Sequence, residues 1–370
     1  MQEVKNRMSK ITKRGIAILS LKEPAASRCI VDFPPENPES DSSFPEKRMW
    51  KFDDRTQLSL DELLTAARDA GIVDELDGEP LADKLERAAR AVRATSFRQP
   101  ASVYMIIDAT EHEHYGSAAW AVLREFPKET ARGLTFAARA CGCDIANTGF
   151  LVRMTRKERF TLHVKTNLKV LKSRSMYPSY RNYNDRLEIR FGVQACLALY
   201  YAVEFGDPQR SMVVTVAGDS VANSQNVRVP VDTHIRDVLR FCGLITDPNY
   251  VIVGDSMTGT CCTDDHTPVT PGMSCLLAMK FRPHVKKHRS CIGCGRCISA
   301  CHANLLPFEI ARRVDNMQYE RLPRLLPQDC DNCGACSYIC PAGIDVATKV
   351  FEARQNSSTV LLKWGDDIVL

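Results

Sequence analysis

The chain has 370 residues, 44% apolar and 25% charged, which is room for two or three ordinary globular domains. A formal net charge of +4 builds no field for a polyanion, so nucleic acid is not an expected partner. No apolar run reaches the roughly 18 residues a membrane helix needs, and the polar N-terminus lacks a signal-peptide core. A cytoplasmic protein is therefore expected, with its 16 cysteines reduced or holding metal rather than paired as disulfides.

Residues 1–57 read as an extended linker, because Pro34, Pro35, Pro38 and Pro45 punctuate a Ser-, Glu- and Asp-rich stretch. Residues 58–210 read as an α/β domain. Ser59-Leu60-Asp61-Glu62 is a capping box that opens a helix, and Gly71 should end it. Leu81, Leu85, Ala88 and Val92 recur at helical spacing behind Pro80. Val103–Asp108 is a short apolar run suited to a buried strand, and helices are predicted near Ser117–Phe126 and Glu129–Cys141. Gly149–Met154 is strand-like. Phe160, Leu162 and Val164 alternate with Thr161, His163 and Lys165, the pattern of a half-buried strand. Val193–Phe205 reads as an apolar helix, so strands alternate with helices around a partly parallel sheet.

The rhythm changes at Ser211. Strands at Val213–Val216 and Val227–Val229, a helix at Ile235–Cys242, and strands at Tyr250–Gly254 and Cys275–Phe281 form a compact unit over residues 211–282. Cys261 and Cys262 fall in its loop. They are a candidate redox relay, weighed against incidental loop thiols. Cys141 and Cys143, at a helix end, read as small buried hydrophobes. His112 and His114 could share one face of an extended segment, but two histidines do not complete a metal site.

Residues 283–350 carry the chemistry. Cys291, Cys294, Cys297 and Cys301 follow C-x2-C-x2-C-x3-C, and Cys330, Cys333, Cys336 and Cys340 repeat that spacing with Pro341 after it. This is the bacterial ferredoxin run for 4Fe–4S clusters. Three thiolates two residues apart can wrap one face of a cubane, while the fourth starts the next helix and serves the other cluster. Hence Cys291, Cys294, Cys297 and Cys340 are predicted to hold one cluster, and Cys330, Cys333, Cys336 and Cys301 the second. Two zinc sites are the alternative, but zinc takes four ligands from paired knuckles and leaves the surplus cysteine of each run idle. Arg312, Arg313, Arg321 and Arg324, in the insert between the runs, form a solvated face or dock an acidic partner. Residues 351–370 read as a tail.

The segments from Val213 to Gly243, GDSMTGT and PVTPGMSCLLAMK resemble an SLBB domain, a ligand-binding β-grasp, and CIGCGRCISACHANLLP with CDNCGACSYICP resembles the tail of the Rnf complex C subunit. The chain is similar to the RnfC-like family, which includes PrdC-like proteins associated with proline reductase. The resemblance is specific over 211–345, weak over 58–210 and absent before that. It implies an α/β domain like the complex I flavoprotein, then a β-grasp SLBB domain, then an α-helical ferredoxin-type dicluster domain. Family members bind FMN in the first of these, on a glycine-rich loop. At the matching stretch this chain has Ala70–Pro80, with Asp74, Glu75, Asp77 and Glu79 in it. Carboxylates repel a phosphate that wants bare amides. The departure implies that FMN and NADH binding is lost and that the chain relays electrons through two 4Fe–4S clusters between partner redox proteins. The alternatives are an FMN-dependent NADH oxidoreductase of the family's usual type, and an interaction module that its clusters only stabilise.

Overall fold

The computed structural model describes residues 30–34, 58–98, 103–111, 114–173, 188–254, 256, 259–262, 264, 266–280, 289–330 and 332–365. The first element is a strand where a linker was expected. β1 (Ile30–Asp32) pairs in parallel with a later strand, and Phe33 packs edge-on to Phe241 at 5.2 Å between ring centroids. The rest of 1–57, apart from Pro34, lies outside the described residues.

Helix α1 (Leu60–Asp69) starts at the predicted capping box. The Ser59 amide donates to the Glu62 carboxylate at 2.9 Å while Ser59 Oγ accepts from the Glu62 amide at 3.3 Å. Such a cap stabilises a helix start by about 1 kcal/mol. After α2 (Leu81–Arg98) comes β2 (Tyr104–Ala109), buried along nearly its whole length as a central parallel strand must be. α3 (Ala118–Glu125) and α4 (Pro127–Cys141) lead to β3 (Thr148–Val152); α5 (Arg156–Thr166) leads to β4 (Lys169–Lys172); β5 (Glu188–Phe191) leads to α6 (Val193–Phe205). The four strands form an all-parallel sheet in the order β4-β3-β2-β5. Met105, Ile107, Leu134, Phe150, Phe191 and Leu197 are buried in its core. Each large side chain removed from water contributes about 1.5–3 kcal/mol.

The expected strand at Phe160–Val164 is instead the helix α5. Thr155 and Glu158 form a second capping box, and Asn167 closes the end in the left-handed region at φ 57°. Helical spacing then separates the alternating apolar residues. Leu162 is buried, whereas Phe160 is 68% exposed and Val164 65% exposed. Topology explains the outcome, since β3 and β4 are parallel and a parallel pair needs a crossover, usually helical.

The second sheet is mixed. β6 (Ser211–Ala217), β7 (Gln225–Pro230), α7 (Ile235–Phe241), β8 (Tyr250–Val253), β9 (Thr260–Cys262) and β10 (Cys275–Met279) follow in the chain, and the sheet order is β1-β7-β6-β10-β8-β9. Its first and last own strands, β6 and β10, lie side by side in parallel, flanked by antiparallel neighbours, a β-grasp-like arrangement. Ile235, Val238 and Leu239 of α7 pack on Val214, Val216 and Leu276. A buried polar seam joins the two sheets. Gln194 of α6 exchanges two hydrogen bonds with the Val213 backbone, at 2.9 and 2.8 Å, and the Ser117 amide donates to Thr215 Oγ1 at 3.0 Å.

The last unit is helical: α8 (Arg296–Ala300), α9 (Pro307–Asp315), 3-10 turns at Tyr319–Leu325 and Pro327–Asp329, α10 (Ala335–Tyr338) and α11 (Val346–Gly365). Leu305, Ile310, Val314, Leu322, Val350 and Ala353 make its core. α11 runs through the expected boundary at residue 350. Ala353 is fully buried, Tyr319 donates to Glu352 at 2.8 Å and Arg354 donates to the Cys330 carbonyl at 3.0 Å. The expected tail thus begins as the helix that closes the cysteine unit. Among the described residues no helix is long and apolar enough to cross a membrane.

Candidate functional site

The two cysteine runs repeat a backbone device. Gly295 and Gly334, two residues before the third cysteine of each run, are left-handed at φ 70° and 72° and form the N-caps of α8 and α10. That conformation is costly for residues with a Cβ, so glycine suits the turn that opens each short helix.

Cys330, Cys333 and Cys336 from the second run line one cavity together with Cys301, the last cysteine of the first run; Leu305 and Val350 form apolar wall. These are the four residues that the spacing assigns to one cluster. Burial, then the neighbouring Cys333, Cys330 and Cys301, pushes the Cys336 thiol up to about 12. Four thiolates cannot share so small a space by themselves, and a bound cationic metal reverses that, because a coordinating thiol is deprotonated. Among the described residues no three His, Cys, Asp or Glu side chains converge tightly enough for a single ion. Sulfurs on a tetrahedral zinc lie within about 4 Å of one another, given Zn–S bonds near about 2.3 Å. Four cysteines on one cavity, in the ferredoxin spacing, are the donor set that a 4Fe–4S cluster takes.

The first run is more open. Cys291 and Cys294 are exposed, and Cys297 is half-buried with its thiol pushed up by burial. The Arg289 amide donates to the Ala342 carbonyl at 2.9 Å, which ties the start of this run to the chain just past Cys340.

Cys261 and Cys262 lie in β9, the edge strand of the mixed sheet, rather than in a loop. Successive side chains in a strand point to opposite faces. Cys262 Sγ donates to the Asp264 carbonyl at 2.8 Å while Cys261 is exposed, and neither lines the cluster cavity. Cys141 and Cys143 are buried, with Sγ donating to the carbonyls of Leu85 at 3.6 Å and Val103 at 3.5 Å. Arg312 and Arg313 both fold back onto Glu309 of their own helix. His112, needed for a histidine pair with His114, lies outside the described residues.

The second place that could take a ligand is the carboxyl end of the parallel sheet. The chain extends the sheet from β2 outward to β3 and β4, then returns to place β5 on the other side of β2. In open parallel sheets ligands bind at such a reversal, beyond the strand ends. Here the loop after α1 fills it. Glu75 accepts from the amides of Gln194 at 2.7 Å and Ala195 at 3.0 Å, the first turn of α6. Asp74 accepts from the Gly192 amide at 3.0 Å and the Leu76 amide at 2.9 Å. A Cβ at Gly192 would fall 2.2 Å from the Glu75 carboxylate, so a larger residue there would displace that side chain from the α6 amides.

The expected acidic field is largely neutralised. Lys84, itself buried, donates to both Asp74 and Asp77 at 2.7 Å, and Arg87 clasps Glu79 at 2.7 Å. Burial pushes the Asp74 carboxyl up, against the pull of Lys84. Burial also works against the Lys84 ammonium, but Asp74 and Asp77 outweigh it and leave its pKa raised. The two directions oppose each other. We take the pair as ionised, because Asp74 also accepts two amide hydrogen bonds that favour the carboxylate. The helix start that could hold a phosphate is occupied by the protein's own carboxylates, so these residues do not fit a flavin phosphate. The sequence reads these residues as free repelling carboxylates; in the fold they are paired with Lys84, Arg87 and the amides of α6.

A family model described as a 4Fe-4S dicluster domain matches residues 290–344. The C subunit of the ion-translocating oxidoreductase complex of Rhodobacter capsulatus is 28% identical over 234 residues, covering 57% of this chain and 45% of that protein. The C subunit of the proton-translocating ferredoxin:NAD(+) oxidoreductase complex of Clostridium ljungdahlii is 34% identical over 117 residues, covering 31% and 26%. The aligned stretches thus span less than half of these relatives. A chain of an NAD+-reducing [NiFe]-hydrogenase superposes with a TM-score of 0.50 at 15% identity, over 81% of this chain and 63% of that one, a likeness of fold. Over the stretches these relatives share, the chain is RnfC-like, and its C-terminal unit is a 4Fe–4S dicluster domain.

Proposed function

We propose that the chain is an electron-relay subunit of a larger redox assembly. Cys291, Cys294, Cys297 and Cys340 hold one 4Fe–4S cluster, and Cys330, Cys333, Cys336 and Cys301 hold the other. The observation that carries this reading is the cavity that joins Cys301 to the three cysteines of the second run. The clusters supply one-electron chemistry, and the residues around them do the rest. The thiolates anchor the metal, Leu305 and Val350 keep water from the second site, and Arg354 steadies the loop by bonding the Cys330 carbonyl. A cytoplasmic redox partner on each side, one donor and one acceptor, completes the relay.

The α/β domain serves in this reading as a scaffold without flavin. Support comes from Glu75 and Asp74, which take up the amides at the start of α6. The other reading is an FMN-dependent NADH oxidoreductase; one relative's name, a ferredoxin:NAD(+) oxidoreductase complex subunit, favours its NAD part, and the FMN comes from the family resemblance. Metal and flavin analysis of anaerobically purified protein separates the two. We expect about eight iron and eight sulfide per chain and no FMN after acid release. About one FMN per chain, reducible by NADH, overturns the scaffold reading; zinc without sulfide overturns the cluster reading.

A further inference from the structure

The two cysteine runs share a spacing but not their surroundings. Cys333 is buried and its three cavity partners are half-buried, whereas Cys291 and Cys294 are exposed. Ile292, between those two, is 68% exposed, and Tyr338, two residues before Cys340, is 62% exposed. Arg289 and Arg296 are exposed beside them, within two residues of Cys291 and Cys297. Among the described residues no carboxylate forms a salt bridge with either arginine. The second run is flanked instead by Asp329, which is exposed, and in sequence by Asp331. An apolar centre with a cationic rim around an exposed redox group is the anatomy of a docking face for a carrier of opposite charge.

We propose that the rim of the first cysteine run, Arg289, Ile292, Arg296 and Tyr338, is the docking surface for an acidic electron-carrier protein. The inference rests on the relay reading and names the port through which it works. The reduced carrier gives up one electron and is oxidised by one unit, the chain gains that electron at the first-run cluster, and no proton or bond changes hands. The enclosed second-run cluster exchanges electrons through the first or through a different partner. Opposite charges at the rim raise the encounter rate, and added salt removes the advantage.

The test uses the full chain with its clusters and an acidic bacterial ferredoxin as probe. The double variant Arg289→Glu/Arg296→Glu should slow electron transfer from reduced ferredoxin about tenfold or more at low salt. The difference should shrink towards zero near about 0.5 M salt. Calorimetric titration should show ferredoxin binding weakened in parallel, while a small viologen reductant reduces the variant no more slowly. Arg156→Glu/Lys157→Glu makes the same charge change on α5 and should alter neither rate nor binding. Unchanged transfer and binding in the first variant, or an equal loss in the α5 variant, overturns the proposal. Iron content near about eight per chain keeps this outcome apart from failure of the relay reading itself. If charge reversal disturbs assembly, Arg289→Gln/Arg296→Gln carries the same test with a smaller loss.

Discussion

The carboxyl end of the parallel sheet and the cysteine loops are both built to receive something, and the chain treats them oppositely. At the sheet, the amides of Gly192, Gln194 and Ala195 at the start of α6 already meet Asp74 or Glu75, and Lys84 balances the charge. At the loops, four thiols face a cavity and burden one another. Polar groups satisfied from within leave no donor or acceptor for a ligand, whereas four cysteines gathered on one cavity are a donor set. That difference in internal pairing is what the proposed reading rests on, since a fold alone does not carry function.

The comparison can be broken first at the cysteines. In the proposed ligand sets Cys301 crosses from the first run to the second, so Cys301→Ala tests the crossing directly. Iron should fall from about eight towards four per chain, and the lost spectral signal should belong to the cluster of Cys330, Cys333 and Cys336. Retention of that cluster, with loss at the first run, would show that the ligand sets do not cross.

At the sheet the largest effect is expected from Lys84→Met. It strands the Asp74 carboxylate, fully buried, beside Asp77. Removing one partner of a buried pair costs about 3–5 kcal/mol, to be read from denaturant unfolding of the α/β unit in the full chain. A loss below about 1 kcal/mol would place Asp74 in the neutral form.

A subtler effect concerns pH. Burial, then the neighbouring Asp74 charge, pushes Glu75 from 4.5 up to about 8, against the pull of the Gln194 and Ala195 amides. With the folded pKa raised, the unfolded chain loses this proton first as pH rises. Stability should therefore fall between about pH 5 and 8, by at most about 1.4 kcal/mol per unit. Glu75→Gln should flatten that slope. A wild-type slope of zero or opposite sign would mean that the helix amides hold Glu75 ionised throughout.

The smallest effect falls on α5, which takes part in neither site. Phe160→Ser should change stability by no more than about 0.5 kcal/mol, as for other exposed positions. A loss near the 3–5 kcal/mol of a core phenylalanine would restore the half-buried strand expected from its alternation.

Sequence by itself determined the elements whose causes are local. The capping box at Ser59, the apolar run of β2 and the paired cysteine spacing depend on residues a few positions apart, so one dimension suffices to read them. The alternation at Phe160–Val164 misled because period-two patterns also occur in a short helix with one buried residue. The need to cross between parallel β3 and β4 decided the matter, and that need exists only once the strands are paired. Strand β1 and the continuation of α11 escaped notice for the same reason: their partners, β7 and the cysteine unit, lie far away in the chain or beyond a turn that masks them. The acidic loop shows the limit most plainly. Composition revealed four carboxylates where a phosphate could bind, but whether they repel an anion or replace it depends on Lys84, Arg87 and the amides of α6. Only the tertiary structure brings Glu75 within hydrogen-bonding distance of residues 119 and 120 positions away. Hydrogen bonds act over about 3 Å in space and take no account of separation along the chain.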